Sequence, residues 1–200
     1  MIDSLEALRG RYAAPKERAV RKQLKHLDRH CRRFIELSPF LVLASGSRDG
    51  NLDASPRGGA PGLVKTLDEH NLIIPDAPGN NRLDSMENIL SSGRIGLLFL
   101  IPGVDETLRV NGRARISDSP DLLRHFSPEK RVPTMAIEVA VEETYLHCAK
   151  ALMRSKLWSA EYRIERSALP TMGQMINEQT GMTALPVTQA EMIAIYQKEL

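Results

Sequence analysis

Between Leu108 and Ser117 the chain alternates without a break. Leu108, Val110, Gly112, Ala114 and Ile116 fall on one side, and Arg109, Asn111, Arg113 and Arg115 on the other. A period of two is that of a strand with one face buried and one face wet; it does not fit a helix. A single strand is not stable alone in water, so the pattern demands neighbours. The flanking sequence supplies them. Phe40–Ser45 and Arg94–Leu100 are short apolar runs, and Met135–Val141 alternates again. Arg48-Asp49-Gly50 is a turn that joins the first run to Asn51–Pro56, so 40–56 reads as a hairpin. Leu63–Leu67 and Asn71–Pro75 read as a second hairpin around Asp68-Glu69-His70. About seven strands joined mostly by short turns predict an antiparallel sheet that closes into a small barrel.

Helical periods flank this region. Residues 15–37 are predicted as one helix, with Val20, Leu24, Leu27, Cys31 and Phe34 as an apolar stripe. Pro15 suits its first turn and Ser38-Pro39 its end. Arg82–Leu90 is predicted as a short helix stopped by Gly93, and residues 120–126 as another. Cys148–Leu157, Thr171–Glu178 and Ala190–Glu199 follow, the last opened by a capping box over Thr188–Glu191. The expected organisation is mainly β with flanking helices: a helical extension over 1–37, a barrel over 38–160, and a second helical extension over 161–200.

Composition narrows the function classes. With 27 basic and 25 acidic residues, the formal net charge of +2 gives no global pull toward nucleic acid. Aromatic residues are 4% of the chain, too few to expect a base-stacking platform. The segment 16–36 is locally basic, with eight basic residues against three acids, but such a helix usually keeps its charges in water. Nucleic acid is therefore not the expected partner. No apolar run approaches a membrane span and no secretory signal opens the chain, so a cytoplasmic protein is expected. Cys31 and Cys148 form no CxxC pair. His26 and His30 share a helical face without an acid to complete a metal site, and adjacent His147 and Cys148 cannot easily chelate one ion if extended. No metal is expected. GxSxG, P-loop and GxGxxG patterns are all missing from the sequence.

Two segments carry the strongest chemical signal. In Ile73–Arg82 a strand ends, a loop turns, and a helix begins with Asn80-Asn81-Arg82. A helix start offers unpaired N–H groups and partial positive charge, and Arg82 adds a forked donor for phosphate oxygens. The plainer reading is a capped helix with a solvated arginine. In Ser55-Pro56-Arg57-Gly58-Gly59 an arginine at a strand end is followed by glycines that let a flat ligand approach the backbone. Two arginines near one helix start would neutralise a phosphate dianion.

These segments also carry a resemblance. Ser55–Gly58, Ile74–Ser85, Gly96–Gly103, Glu106–Ala114 and His147–Ala151, with Trp158, occur in an order that resembles the flavin-binding split-barrel family related to pyridoxamine 5′-phosphate oxidase. The similarity covers roughly residues 38–160. It implies an antiparallel split β-barrel, a homodimer, and FMN held between subunits. It further implies phosphate contacts from Arg82, with Asn81 and Ser85 beside it. Ser55, Pro56, Arg57 and Gly58 would run along the flavin, and Ile74, Pro75 and Asp76 would border its ring. Thr107 stands where relatives often place a glutamine, and Lys150 and Trp158 fit the bacterial branch. The implied activity is a flavin-dependent oxidoreductase acting on a small molecule, the alternative being a non-catalytic flavin carrier or sensor. The tail from Leu169 lacks the basic, His-containing motif that holds substrate phosphate in the oxidase proper, so oxidation of pyridoxamine 5′-phosphate is not expected.

Overall fold

The computed structural model describes residues 1–77, 79–127 and 132–199, and it divides into two compact units, Met1–Ser155 and Lys156–Leu200. In the first unit three short helices, α1 (Leu5–Arg9), α2 (Glu17–Arg21) and α3 (Arg29–Leu37), lead into β1 (Phe40–Gly46) and β2 (Leu52–Gly58). Then come β3 (Lys65–Thr66), β4 (Asn71–Pro75), α4 (Asp84–Ser92), β5 (Arg94–Leu100) and β6 (Thr107–Ser117). α5 (Pro120–Leu123), a single 3-10 turn, β7 (Ala136–His147) and α6 (Lys150–Ser155) complete it. In the second unit, α7 (Met172–Thr180) opens on a Thr171–Gln174 capping box. In α8 (Gln189–Glu199) the predicted box is closed by Thr188 and Glu191, which bond reciprocally at 2.9 and 3.3 Å. Among the described residues no helix is long and apolar enough to cross a membrane.

The strands form one seven-stranded antiparallel sheet in the order β2-β1-β5-β6-β7-β4-β3. The predicted inward residues behave as such. Leu41, Leu43, Ile95, Leu97, Phe99, Leu108, Val110, Ile137 and Val139 are buried together. β7 extends past its predicted end at Val141. Its Glu142–Tyr145 stretch hides the strand signal because Glu143 sits on the other face, 2.5 Å from Arg109 and 3.1 Å from Asn111. Ala136, predicted outward, is buried instead, because Ile73 and Phe126 cover that side of the strand.

The single helix predicted over 15–37 is corrected to two. Between α2 and α3 the chain runs extended beside β7: the Leu24 N–H donates to the Thr144 carbonyl at 3.0 Å and receives a bond back at 2.8 Å. The Thr144 side chain, fully buried, donates to the His26 carbonyl at 2.9 Å. Pairing with β7 satisfies backbone groups that a helix would have satisfied internally, and it buries Leu27 in the core, while Val20 is left exposed. Asp28 then starts α3 by accepting from the Cys31 N–H at 2.8 Å. Burial pushes the Asp28 carboxyl up, but its hydrogen bonds from Cys31 and the nearby His30 outweigh this and hold it below the usual carboxylate range. Burial also pushes the Cys31 thiol up, to about 11, so it is a core thiol rather than a nucleophile at neutral pH.

β6 and β7 are the longest strands and pair along their whole length, with a bulge at Asn111/Gly112. The backbones come so close there that a Cβ on Gly112 would collide with the Ala140 carbonyl oxygen and lie 3.0 Å from its carbonyl carbon. We therefore expect Gly112→Ala to destabilise the fold by about 2–3 kcal/mol, since only backbone movement relieves the clash. Urea unfolding followed by circular dichroism measures this, and an unchanged midpoint would contradict it.

Candidate functional site

α4 is fastened to the β1–β2 hairpin by a polar seam. Ser85 Oγ donates to Asp53 Oδ2 at 2.5 Å, Asn88 Nδ2 to Ser45 Oγ at 3.1 Å, and Ser92 Oγ to the Gly46 carbonyl at 2.5 Å. These three helix residues recur at steps of three and four, so they lie on one side of α4. Ser45, Ser85 and Asn88 are buried, and their pairing avoids the penalty of a lone buried polar group. The seam fixes the start of α4 against the end of β2.

A cleft of about 300 Å³ lies at that junction. Of the residues singled out from sequence, it gathers Ser55, Pro56, Arg57, Asp76, Asn81, Arg82 and Ser85. Asp53, Ser55 and Arg57 alternate along β2 and are half-buried on the same side. The Nε of Arg57 is buried and has no hydrogen-bond partner among the described residues. A buried cationic N–H without an acceptor is costly and points to a missing anionic or polar group.

The helix start differs from expectation. α4 begins at Asp84 rather than Arg82, and neither Asn80 nor Asn81 caps it. The Asn80 side chain instead accepts from the Arg82 N–H at 3.1 Å and closes a turn before the helix. Leu83 occupies the cap position in the left-handed region, φ 59°, without a side-chain cap, and Asn81 is also left-handed at φ 58°. A left-handed leucine is strained, and such strain concentrates at ligand-holding loops. The first turn of α4 therefore faces the cleft with no side chain capping its amides. Pro78, part of the same loop, lies outside the described residues.

The charges in the cleft are mixed. Arg82 Nε and Nη2 lie 2.8 and 3.3 Å from the two carboxylate oxygens of Asp84, a bidentate pair in which Arg82 is 71% exposed. The hydrogen bond from Arg82 and its charge hold the Asp84 carboxyl below its usual range. Asp53 and Asp76 also line the cleft. Ser85, expected to help with phosphate, has given its one proton to Asp53. The sequence reading missed Asp53 and Asp84 as elements of the site. The alternation Asp53, Ser55, Arg57 was the signal for the first, and for the second its position two residues after Arg82.

The remaining expected ligands are not among the residues that line this cleft. Ile74 is fully buried in the core, where its side chain packs inside the sheet. Pro75 is half-buried at the β4 end, and Gly58 ends β2 beyond Arg57. Thr107 pairs with His147 at the far end of β6, and Lys150 opens α6. Trp158 belongs to the second unit.

A family model described as pyridoxamine 5′-phosphate oxidase matches residues 27–148. No curated protein matches the chain. A solved HupZ variant from Group A Streptococcus superposes with a TM-score of 0.50 and 16% identity, covering 60% of this chain and 99% of that one; this bears on the fold alone. An FMN-binding protein from Syntrophomonas wolfei gives a TM-score of 0.44 and 8% identity, covering 58% of this chain and 83% of its own. An FAD binding protein from Mycobacterium smegmatis gives 0.42 and 12%, with 62% and 98% covered.

Asp84 occupies the fork of Arg82 that any incoming anion would need. Asp84→Asn is expected to raise the affinity of the cleft for inorganic phosphate several-fold, because a neutral amide competes far less for a guanidinium. Isothermal titration of phosphate into both proteins tests it, and equal or weaker binding by the variant would rule out the competition.

Proposed function

The chain belongs to the pyridoxamine 5′-phosphate oxidase family, and on that premise we propose that its cleft holds FMN for a flavin-dependent oxidation or reduction of a small molecule. One observation carries this reading: Arg57 and Arg82, distant in sequence, meet the uncapped start of α4 in one cleft. A phosphate dianion answers the charge of both guanidiniums and accepts from the amides of the uncapped helix start. The wet, strained loop before α4 gives its oxygens room beside the backbone N–H groups.

In this reading Arg57 and Arg82 bind the phosphate, and Arg82 exchanges Asp84 for it. Asp53, through Ser85, holds the helix start in register and contacts no ligand. Ser55, Pro56 and Asp76 border the apolar plane of the cofactor, with Asn81 at the turn. When bound, the isoalloxazine supplies the redox chemistry, and the protein supplies placement and electrostatics. The substrate is a small molecule admitted beside the ring. Oxidation of pyridoxamine 5′-phosphate itself is not proposed.

We also infer a homodimer. The outer face of β2, β1 and β5 is apolar: Pro56, Val42 and Leu98 stand in one row, and Gly58, Phe40 and Leu100 in the next. Leu52 at its edge is 88% exposed and Phe40 37%. Such a continuous apolar sheet face is expected to be covered. A second copy would cover it and also bring up Thr107, which shares the outer face of β6 with Arg109 and Asn111. Lys150 and Trp158 stay in the proposal on family resemblance.

The test of the cofactor is the visible spectrum of the purified protein, followed by FMN titration monitored by fluorescence quenching. Saturable quenching is expected, weakened roughly tenfold or more by Arg82→Ala and by Arg57→Ala, on the scale of a lost charge-assisted bond. Colourless protein that leaves FMN fluorescence unchanged would end the flavin reading. For the dimer, sedimentation equilibrium should give twice 22.3 kDa, and Val42→Asp, which puts a charge on the outer face only, should halve it with the circular dichroism unchanged. Wild-type protein at 22.3 kDa at all concentrations would exclude the dimer.

A further inference from the structure

The second unit, Lys156–Leu200, has no core among its described residues. From Lys156 to Lys198 not one side chain is buried. Twelve large apolar side chains there are exposed, and Leu185 is almost wholly so. Yet the shape of the unit is fixed. Capping boxes start α7 and α8. The Asn177 side chain donates to the Ala184 carbonyl at 2.6 Å, and a Cβ on Gly173 would come within 3.1 Å of the Val187 carbonyl oxygen, so the segment 181–187 lies folded back along α7. Each helix carries an apolar stripe at i, i+3 and i+4: Met172, Met175 and Ile176 in α7, and Met192, Ile195 and Tyr196 in α8. Helices of nine and eleven residues are marginal by themselves, and a unit this small rarely builds a core of its own.

A pre-shaped apolar surface of this extent calls for a cover, and its charge says of which kind. Between Ser167 and Gln197 the only charged side chains are Glu178 and Glu191, whereas 26% of the whole chain is charged. Charge depletion of this kind marks the core of a protein interface. With no lysine or arginine in that stretch, it has nothing to offer an anionic membrane surface or nucleic-acid phosphates. The dimer inferred above, in turn, needs more surface than its sheet face supplies. A standard interface takes roughly 800 Å² from each partner. Among the described residues of β1, β2 and β5, Phe40 and Leu52 are the only large apolar side chains that stand exposed. Two such side chains and their half-buried neighbours fall well short of that area. The twelve of the second unit, about half open or more, offer on the order of 1,000 Å².

We propose that the second unit is a dimerisation arm, whose α7 and α8 stripes pack onto a second copy of this chain. The proposal rests on the homodimer reading above and enlarges it: the sheet face alone leaves the dimer undersized, and the arm completes the buried area.

The test compares full-length proteins by sedimentation equilibrium. Ile176→Lys/Ile195→Lys puts a charge on each stripe at an exposed position, and Ile176→Leu/Ile195→Leu keeps both stripes apolar. The lysine variant should raise the dimer dissociation constant roughly tenfold or more with circular dichroism unchanged, and the leucine variant should match wild type. Hydrogen exchange read by mass spectrometry locates the cover. The α7 and α8 amides should be protected in the wild-type dimer and exchange fast in the monomer, reached by Val42→Asp or by dilution. Wild type at 22.3 kDa at all concentrations would remove the homodimer and the arm with it. Two other results would overturn the arm and leave the sheet-face dimer standing. One is a dimeric wild type whose dissociation constant the lysines do not move. The other is α7 and α8 amides that exchange alike in dimer and monomer, whether equally open or equally protected by cover from within the chain.

Discussion

The β6–β7 pair carries the rest of the first unit. β5 hangs on one edge of it and brings the β1–β2 hairpin; β4 hangs on the other and brings β3. Both strands are long enough to serve both halves only because the ribbon changes course at the Asn111/Gly112 bulge, where the backbones approach too closely for any side chain. Thr144, on the same strand pair, ties in the extended segment before α3 by backbone and side chain. Local geometry at two positions thus decides where five further strands and one helix can sit. The result is the antiparallel split barrel of the pyridoxamine 5′-phosphate oxidase family, to which the match over residues 27–148 assigns the chain.

The seam of Ser85, Asn88 and Ser92 does for the cleft what the bulge does for the sheet. It is polar where an apolar seam would have held α4 as well. Hydrogen bonds, unlike apolar contacts, are directional, so they fix the helix in rotation as well as in distance. The start of α4 then faces Arg57 and not the core. The Arg82–Asp84 pair keeps an exposed guanidinium ordered beside that start. In water such a pair contributes little to stability, so a dianion can displace it at small cost.

Charge is separated in this fold more sharply than a net charge of +2 suggests. The basic stretch 16–36, predicted as one helix, is broken by the strand-like segment around Leu24, and the break sends its cations in different directions. Arg29, Arg32 and Arg33 are left together on the open side of α3, while Lys22 turns back and donates to the Leu146 carbonyl at 2.7 Å.

Much of the sheet was legible in the sequence. Alternation in β6, apolar runs in β1 and β5, and turn residues such as Gly50 at φ 88° each have a local cause. The pairing of Arg57 with Arg82 was legible as a guess about convergence. The extended bridge at Leu24 was not, because its apolar spacing fits a helix equally well and only a partner strand decides between them. Nor was the far half of β7, whose outer glutamate reads as solvent-facing until Arg109 and Asn111 are beside it. Of the thirteen residues expected at the site, Ile74 shows the limit most plainly: a strand end near a cleft and a core position look alike in one dimension.

Local preferences along the chain settle the strand content, the turns, the capping box of the last helix and the presence of two arginines flanked by backbone-permissive residues. These follow from periods and φ preferences that act over a few residues. Packing between distant segments settles that Arg57 and Arg82 share a cleft, that Asp84 already holds one of them, and that three arginines of α3 line one groove with Lys65. Those outcomes depend on contacts between segments tens of residues apart, and no local preference encodes a distance of that kind.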